Sequence, residues 1–247
     1  MRRATTIAAV CVFVLGSATA AAAQQRPPRG FLEVAVATNL RTPATVAQDH
    51  RFTEFLETAD VTSAVQVGRG VRTGARAGWW VTRRVALAGG VSVLRASGAV
   101  QGTYAFPSPF VFNAPVTATG SARARRTAVD TSVDVIASLF DERGWQLTAG
   151  IGPDIARVRQ PLLADVLTAT YEFPFTAIAL TPASGASHST AVGVHVTAAL
   201  ARHLGHHLGL TGTFDYRRAP VHLTTVDGAA TVNAGGAAAG GGLRVRF

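Results

Sequence analysis

The feature that most constrains this chain is a two-residue alternation of apolar and polar side chains that returns again and again. The stretch Arg126 to Phe140 shows it most clearly: Val129, Thr131, Val133, Val135, Ala137 and Leu139 alternate with Asp130, Ser132, Asp134 and Ser138. Successive side chains of a strand point to opposite faces, so this pattern gives a strand with one apolar face. The same alternation is found in 31–38, 71–80, 85–94, 145–152, 191–200, 208–216 and 236–247. No stretch after the amino terminus holds 18 consecutive apolar residues, which excludes a transmembrane helix there. The expected fold is an all-β, eight-stranded antiparallel up-and-down transmembrane β-barrel.

Turns and loops alternate along the chain as such a barrel requires. Short polar turns are expected near 82, 142 and 204, and long connections at 39–70, 97–124, 157–188 and 219–234. The second half of the first connection, around Phe55 to Val67, is compatible with a prolongation of the next strand. An even strand number, short turns at one end and long loops at the other characterise bacterial transmembrane barrels. Met1 to Ala23 reads as a signal peptide: Arg2 and Arg3 precede a short apolar run, and Ala21-x-Ala23 fits a cleavage site. Residues 24–29 form a linker and 30–247 the barrel domain. The single cysteine, Cys11, lies in the signal peptide, so the mature chain is expected to lack thiol and disulfide chemistry.

The alternation leaves open which face meets lipid. The more polar face is rich in Gly, Ala and Ser with few charges, which suits a narrow lumen. The opposite face is apolar through the centre of each strand, where a charge facing lipid costs about 2–4 kcal/mol. Trp79 and Trp145 beside the tight turns are assigned to a periplasmic aromatic girdle, with Phe214 and Tyr216 toward the outer one. The lumen candidates are Glu33, Asp130, Asp134, Asp154 and Asp215 against Arg72, Arg76, Arg217, Arg244 and Arg246. Buried charges need partners, so the interior is expected to be ion-paired and plugged.

The final strand, Gly236 to Phe247, places Leu243, Val245 and the terminal Phe247 on one face and Arg244 and Arg246 on the other. It resembles the C-terminal strand by which outer-membrane barrels are recognised by the barrel-assembly machinery. With the segment 78–87 and the loop 107–112, it makes the chain similar to the outer-membrane β-barrel family of the OmpA-transmembrane-domain type, among its uncharacterised Gram-negative members. The resemblance covers about residues 30–247. It implies cell outer membrane localisation and a barrel fold, but no fixed activity.

Other residues invite chemical readings. The net charge is +9, all basic residues being arginine. No basic run interleaves with aromatics, so no nucleic-acid partner is expected. His203, His206 and His207 lie in a turn interrupted by Gly205, and no metal or other cofactor is expected there. His188 and Ser189 are adjacent in a strand, hence on opposite faces, which does not suit base-activated attack; His195 reads as a lumen-facing core residue. No catalytic residue is assigned. Tyr104, Phe106, Phe110, Phe112, Tyr171, Phe173 and Phe175 form a loop aromatic set, either packing to cap the barrel or forming an exposed patch. Arg95, Arg123, Arg125, Arg126, Arg157, Arg159, Arg217 and Arg218 are placed near the outer rim, where they could meet lipopolysaccharide phosphates. The expected function is a monomeric structural or surface-interaction barrel in outer-membrane lipid. Two alternatives remain: a narrow pore or hydrophobic-solute conduit, and a soluble periplasmic lipocalin-like binding barrel.

Overall fold

The computed structural model describes residues 29–40, 46–54, 56–108, 111–172, 177–225 and 228–247. The expected signal peptide and nearly all of the expected linker lie outside them. The chain forms eleven strands: β1 (Gly30–Asn39), β2 (Val46–Glu54), β3 (Glu57–Trp80), β4 (Val85–Phe106), β5 (Val116–Glu142), β6 (Trp145–Glu172), β7 (Ala177–His203), β8 (Leu208–Arg218), β9 (Pro220–Thr225), β10 (Gly228–Asn233) and β11 (Gly236–Arg246). Eight of them, β1, β3 to β8 and β11, form an antiparallel ring. The ring closes where β1 pairs with β11 on one side and β3 on the other, so that Glu33 lies between Arg244 and Arg76.

Three tight connections mark one end of the ring. At the first, the Thr82 hydroxyl accepts hydrogen bonds from the backbone N–H groups of Arg84 and Val85. At the second, Arg143 and Gly144 have φ of 51° and 78°. Two positive φ values in a two-residue hairpin loop match the right-handed twist of the flanking strands. The third spans 204–207. Trp79 and Trp145 face outward at this end, and the Arg202 guanidinium lies 5.0 Å from the Trp145 ring centre.

The other end departs from the expected long loops. β3 to β7 run far beyond the length needed to cross a bilayer; β6 has 28 residues, whereas about 9–11 suffice. The stretches 97–106, 116–124, 157–172 and 177–188 are strand, as are 46–54 and 57–67. Within 219–234, β9 and β10 form a separate hairpin. The ring itself stays closed only over the lower part. β5 and β6 are paired from Glu142–Trp145 up to Thr127–Arg159, and β7 and β8 up to Val194–Arg218.

The faces exchange character between the two parts. On lower β4, Val85, Leu87 and Val91 face outward, while Ala88 and Ser92 face the lumen. On upper β4, Arg95, Ser97, Gln101 and Thr103 face outward, while Leu94, Val100, Tyr104 and Phe106 are buried inside. β6 makes the same change after Ile155, with Arg157 and Arg159 outward and Val158 inward. β3 achieves it with an extra residue. Val67 faces Gly98 and Gly70 faces Ala96, so two residues of β3 oppose one of β4. This bulge shifts the parity, turning Val61, Val65 and Val67 inward but Val71, Thr73 and Trp79 outward.

The lower exterior is therefore a continuous apolar belt. Val133 at its centre is 61% exposed although surrounded by barrel wall. An apolar surface of this extent is sustained by lipid rather than water. Replacing Val133 by Arg should destabilise the refolded barrel in lipid vesicles by about 2–4 kcal/mol. The same change at Gln101, outward but above the belt, should leave the denaturant midpoint within about 0.5 kcal/mol of the parent. Equal losses at both sites would refute the belt.

Candidate functional site

The lumen is layered. At the turn end, Phe31, Ala86, Ala88 and Ile136 form a small apolar cluster with Trp80 against it. A Cβ at Gly78 would come within 2.4 Å of the Phe31 ring, so a larger residue there would force the ring to move. Above the cluster sits the closure tier. Arg244 donates to Glu33 Oε2 from Nε at 2.8 Å and from Nη2 at 2.6 Å, and to Gln146 Oε1 at 3.1 Å. Arg76 donates to the other Glu33 oxygen at 3.0 Å. The Arg244 guanidinium also lies 5.0 Å from the Phe31 ring centre.

A middle tier follows. Arg72 donates to Asp130 and, at 3.2 Å, to Ser92. Arg217 lies 3.9 Å from Asp130 and 3.8 Å from Asp154. His195 Nε2 is 3.0 Å from Asp134 Oδ1, off the line that a hydrogen bond needs. These groups border an internal cavity of about 70 Å³ reached by Glu33, Arg72, Asp134, His195, Asp215 and Arg217. A cavity of that size with charged groups on its lining has room for water. β6 supplies Asp154 next to Pro153, which has no N–H to give, and the β5–β6 ladder skips the positions between Ser132–Asp154 and Val135–Ile151.

Above the middle tier the interior becomes apolar. Val61, Val65, Val67, Leu94, Val100, Tyr104, Phe106 and Val158 form one cluster with Val221 and Val232 of the β9–β10 hairpin. Arg126 reaches this hairpin by donating to the Ala234 carbonyl at 3.0 Å. Ser189 donates to the His222 carbonyl at 3.0 Å. The hairpin thus lies over the inner face of the extended strands. Burial pushes the Tyr104 phenol above its ordinary pKa.

Several expected site residues sit elsewhere than the sequence reading put them. Arg126, assigned to the outer rim, is 1% exposed and faces inward. Its even number gives it the parity of Asp130 and Asp134, a signal that was present in the alternation. Arg217, placed in both groups, belongs to the lumen. Tyr104 and Phe106 are interior strand residues, not part of an exposed loop patch. Their rings stack with centroids 6.0 Å apart. Phe112 is exposed; Phe110, Phe173 and Phe175 lie outside the described residues, as does the Tyr171 side chain. Among the described residues Asp215 borders the cavity without an ion pair, and the Arg246 guanidinium donates to the Gly205 carbonyl at 3.5 Å rather than to a carboxylate. His195, read as a generic core residue, is the neighbour of Asp134.

His207 of the histidine turn and Ser189 of the His–Ser pair each have a backbone carbonyl partner. His207 Nδ1 contacts the Arg246 carbonyl at 2.9 Å, and burial, reinforced by Arg246, lowers the His203 pKa. His188 faces outward while Ser189 is directed to His222. Among the described residues no cluster of His, Cys, Asp and Glu could hold a metal ion.

The sequence matches no protein-family model and no curated protein. Solved structures do match. The chain is similar to the outer membrane protein OprG from Pseudomonas aeruginosa, with 9% identity and a TM-score of 0.51, over 90% of this chain and 97% of that one. It also matches Neisserial surface protein A, with 11% identity and a TM-score of 0.45, over 88% and 97%. At such identities the first likeness speaks for the fold alone.

Glu33 is 4% exposed between two arginines. Glu33→Ala would leave the buried Arg244 and the half-buried Arg76 without their carboxylate, and breaking a buried pair costs about 3–5 kcal/mol. The unfolding temperature of the refolded barrel should fall clearly. Asp215→Asn, which breaks no ion pair, should change it little. An unchanged melt for Glu33→Ala would remove the closure tier from the account.

Proposed function

We propose that this eight-stranded outer-membrane β-barrel is a closed, non-conducting anchor that holds a tall β-walled structure above the membrane surface, where it serves a structural or surface-interaction role. The observation that carries this reading is the exchange of faces along β3, β4 and β6. Apolar side chains point outward in the lower part and inward in the upper part. A strand continuing into water needs its apolar residues inside, so the upper part suits an aqueous setting and the lower part a bilayer.

Closure of the lumen supports the absence of transport. The polar cavity lies between the Phe31 cluster and the apolar cluster covered by β9 and β10. Ions crossing it would have to break the Glu33–Arg244 contacts and pass the buried Tyr104 and Phe106 rings. The tight turns are assigned to the periplasm and the tall end to the cell exterior, in line with the usual asymmetry of turn length in such barrels. The reading gives the protein no catalytic step and treats it as a monomer whose lipid-facing belt meets only lipid.

Two measurements on one preparation test this. The refolded protein in planar bilayers should give no discrete conductance steps. Single cysteines, introduced into a mature chain that otherwise has none, should report exposure to a membrane-impermeant maleimide in intact cells. The Gln101→Cys variant should be labelled, and the Val133→Cys and Arg83→Cys variants protected. Steady conductance would favour the pore. Extraction of the protein without detergent would favour the soluble periplasmic barrel.

A further inference from the structure

The outer wall just above the belt carries a groove that the anchoring role leaves unused. It has a volume of about 420 Å³ and is lined by Thr127 and Val129 of β5, Arg157 and Arg159 of β6, and His188 and Thr190 of β7. It lies at the level where β5 and β6 cease to pair. The register places Arg95, Thr127, Arg159 and His188 in one row across four strands. Adjacent strands are about 4.8 Å apart, and alternate residues on one face about 7 Å apart. Arg95, Arg157 and Arg159 therefore project from an area roughly 10 Å by 7 Å, with Arg125 one step above.

Two properties of this wall select an anion. No ion pair among the described residues engages Arg95, Arg125, Arg157 or Arg159. From Thr117 to Ala137 on β5 and from Trp145 to Arg159 on β6, no acidic side chain faces outward. A third property selects an amphiphile. Beside and below the arginines the wall is apolar: Val93 and Val129 share the row of Arg157, and the row beneath, with Val91, Ile155 and Val192, runs into the belt. Elsewhere on the rim the charge is thinner: Arg69 on β3 and Arg218 on β8 stand singly on their strands, and Arg51 is already paired with Asp60 at 2.8 Å.

We propose that this groove binds the phosphorylated head group of an outer-leaflet glycolipid of the lipopolysaccharide type. Arg157 and Arg159 grip the phosphate, Arg95 and Arg125 flank it, and the acyl chains lie along Val129, Ile155 and Val192. Guanidinium forks suit phosphate oxygens, giving short charge-assisted hydrogen bonds. The inference rests on the membrane placement proposed above, with the tall end in the outer leaflet direction.

The test uses the full mature barrel, refolded in detergent and checked for heat-modifiable gel mobility, so that failure to insert is seen separately. Native mass spectrometry would measure retention of bisphosphorylated lipid A and of its dephosphorylated form. The parent should retain the phosphorylated lipid preferentially. Arg157→Gln with Arg159→Gln should weaken that retention by about tenfold or more, the equivalent of one lost charge-assisted contact. The paired Lys replacements should weaken it less, and Arg218→Gln not at all. Equal retention of the two lipids, or an unchanged double Gln variant, would overturn the proposal. Displacement of the lipid by millimolar inorganic phosphate would overturn it too, since the site would then be one for a free anion.

Discussion

Each tall strand has to satisfy two solvents, and the rest of the structure depends on how it does so. A strand has only two faces. In a bilayer the outward face must be apolar; in water it must be polar, and the apolar residues must find a partner inside. The chain resolves this on β4 and β6 by changing composition at Arg95 and Arg157. On β3 it resolves it by inserting one residue near Gly68 and Arg69, which rotates the whole upper pattern by one position. Both devices act at about the same height, since Arg95 pairs with Thr127 and Thr127 with Arg159.

The interior follows from the same constraint. In the lower part the inward residues are those that cannot face lipid, and they carry charge. Burying a carboxylate is costly unless a cation meets it. Glu33 receives two arginines, and Asp130 receives Arg72 at contact distance with Arg217 farther away. In the upper part the inward residues are those that cannot face water, and they pack as a core. The β9–β10 hairpin completes that core with Val221 and Val232, because β8, β11 and β1 stop too soon to contribute strand wall. The charged lower lumen and the apolar upper core both follow from where apolar residues are required.

Much of this was legible in the sequence. Eight alternating stretches gave the ring, and their polar parity gave the residues that line the lumen, including both partners of Glu33. Three things were not. The apolar residues of the upper strands share parity with the lumen rather than with the belt, so Tyr104 and Phe106 read as loop aromatics instead of the continuation of Leu94 and Val100. The β3 bulge has no residue signature beyond two glycines around Arg69. Ion pairing is set by distance across the lumen, which alternation does not encode. It left Asp134 beside His195 and Asp215 beside a cavity, although a count of acids and arginines suggested that every carboxylate would meet a guanidinium.

Parity also divides the arginines into two classes with different physics. Arg72, Arg126, Arg217 and Arg244 have even or odd numbers that match the inward residues of their strands, and each ends on a carboxylate or a carbonyl. Arg95, Arg125, Arg157 and Arg159 have the outward parity and end on no acid among the described residues. An arginine placed outward in a solvated wall needs no partner, and a single one carries no message. Four of them within three strands, with no outward acid beside them and an apolar shelf beneath, are a different matter. Their mutual repulsion is weak in water but grows where lipid lowers the surrounding dielectric. On the proposal made above, a polyanionic head group at that boundary would convert the repulsion into attraction, and the same lipid that covers the belt would stabilise the level at which the strands exchange their faces.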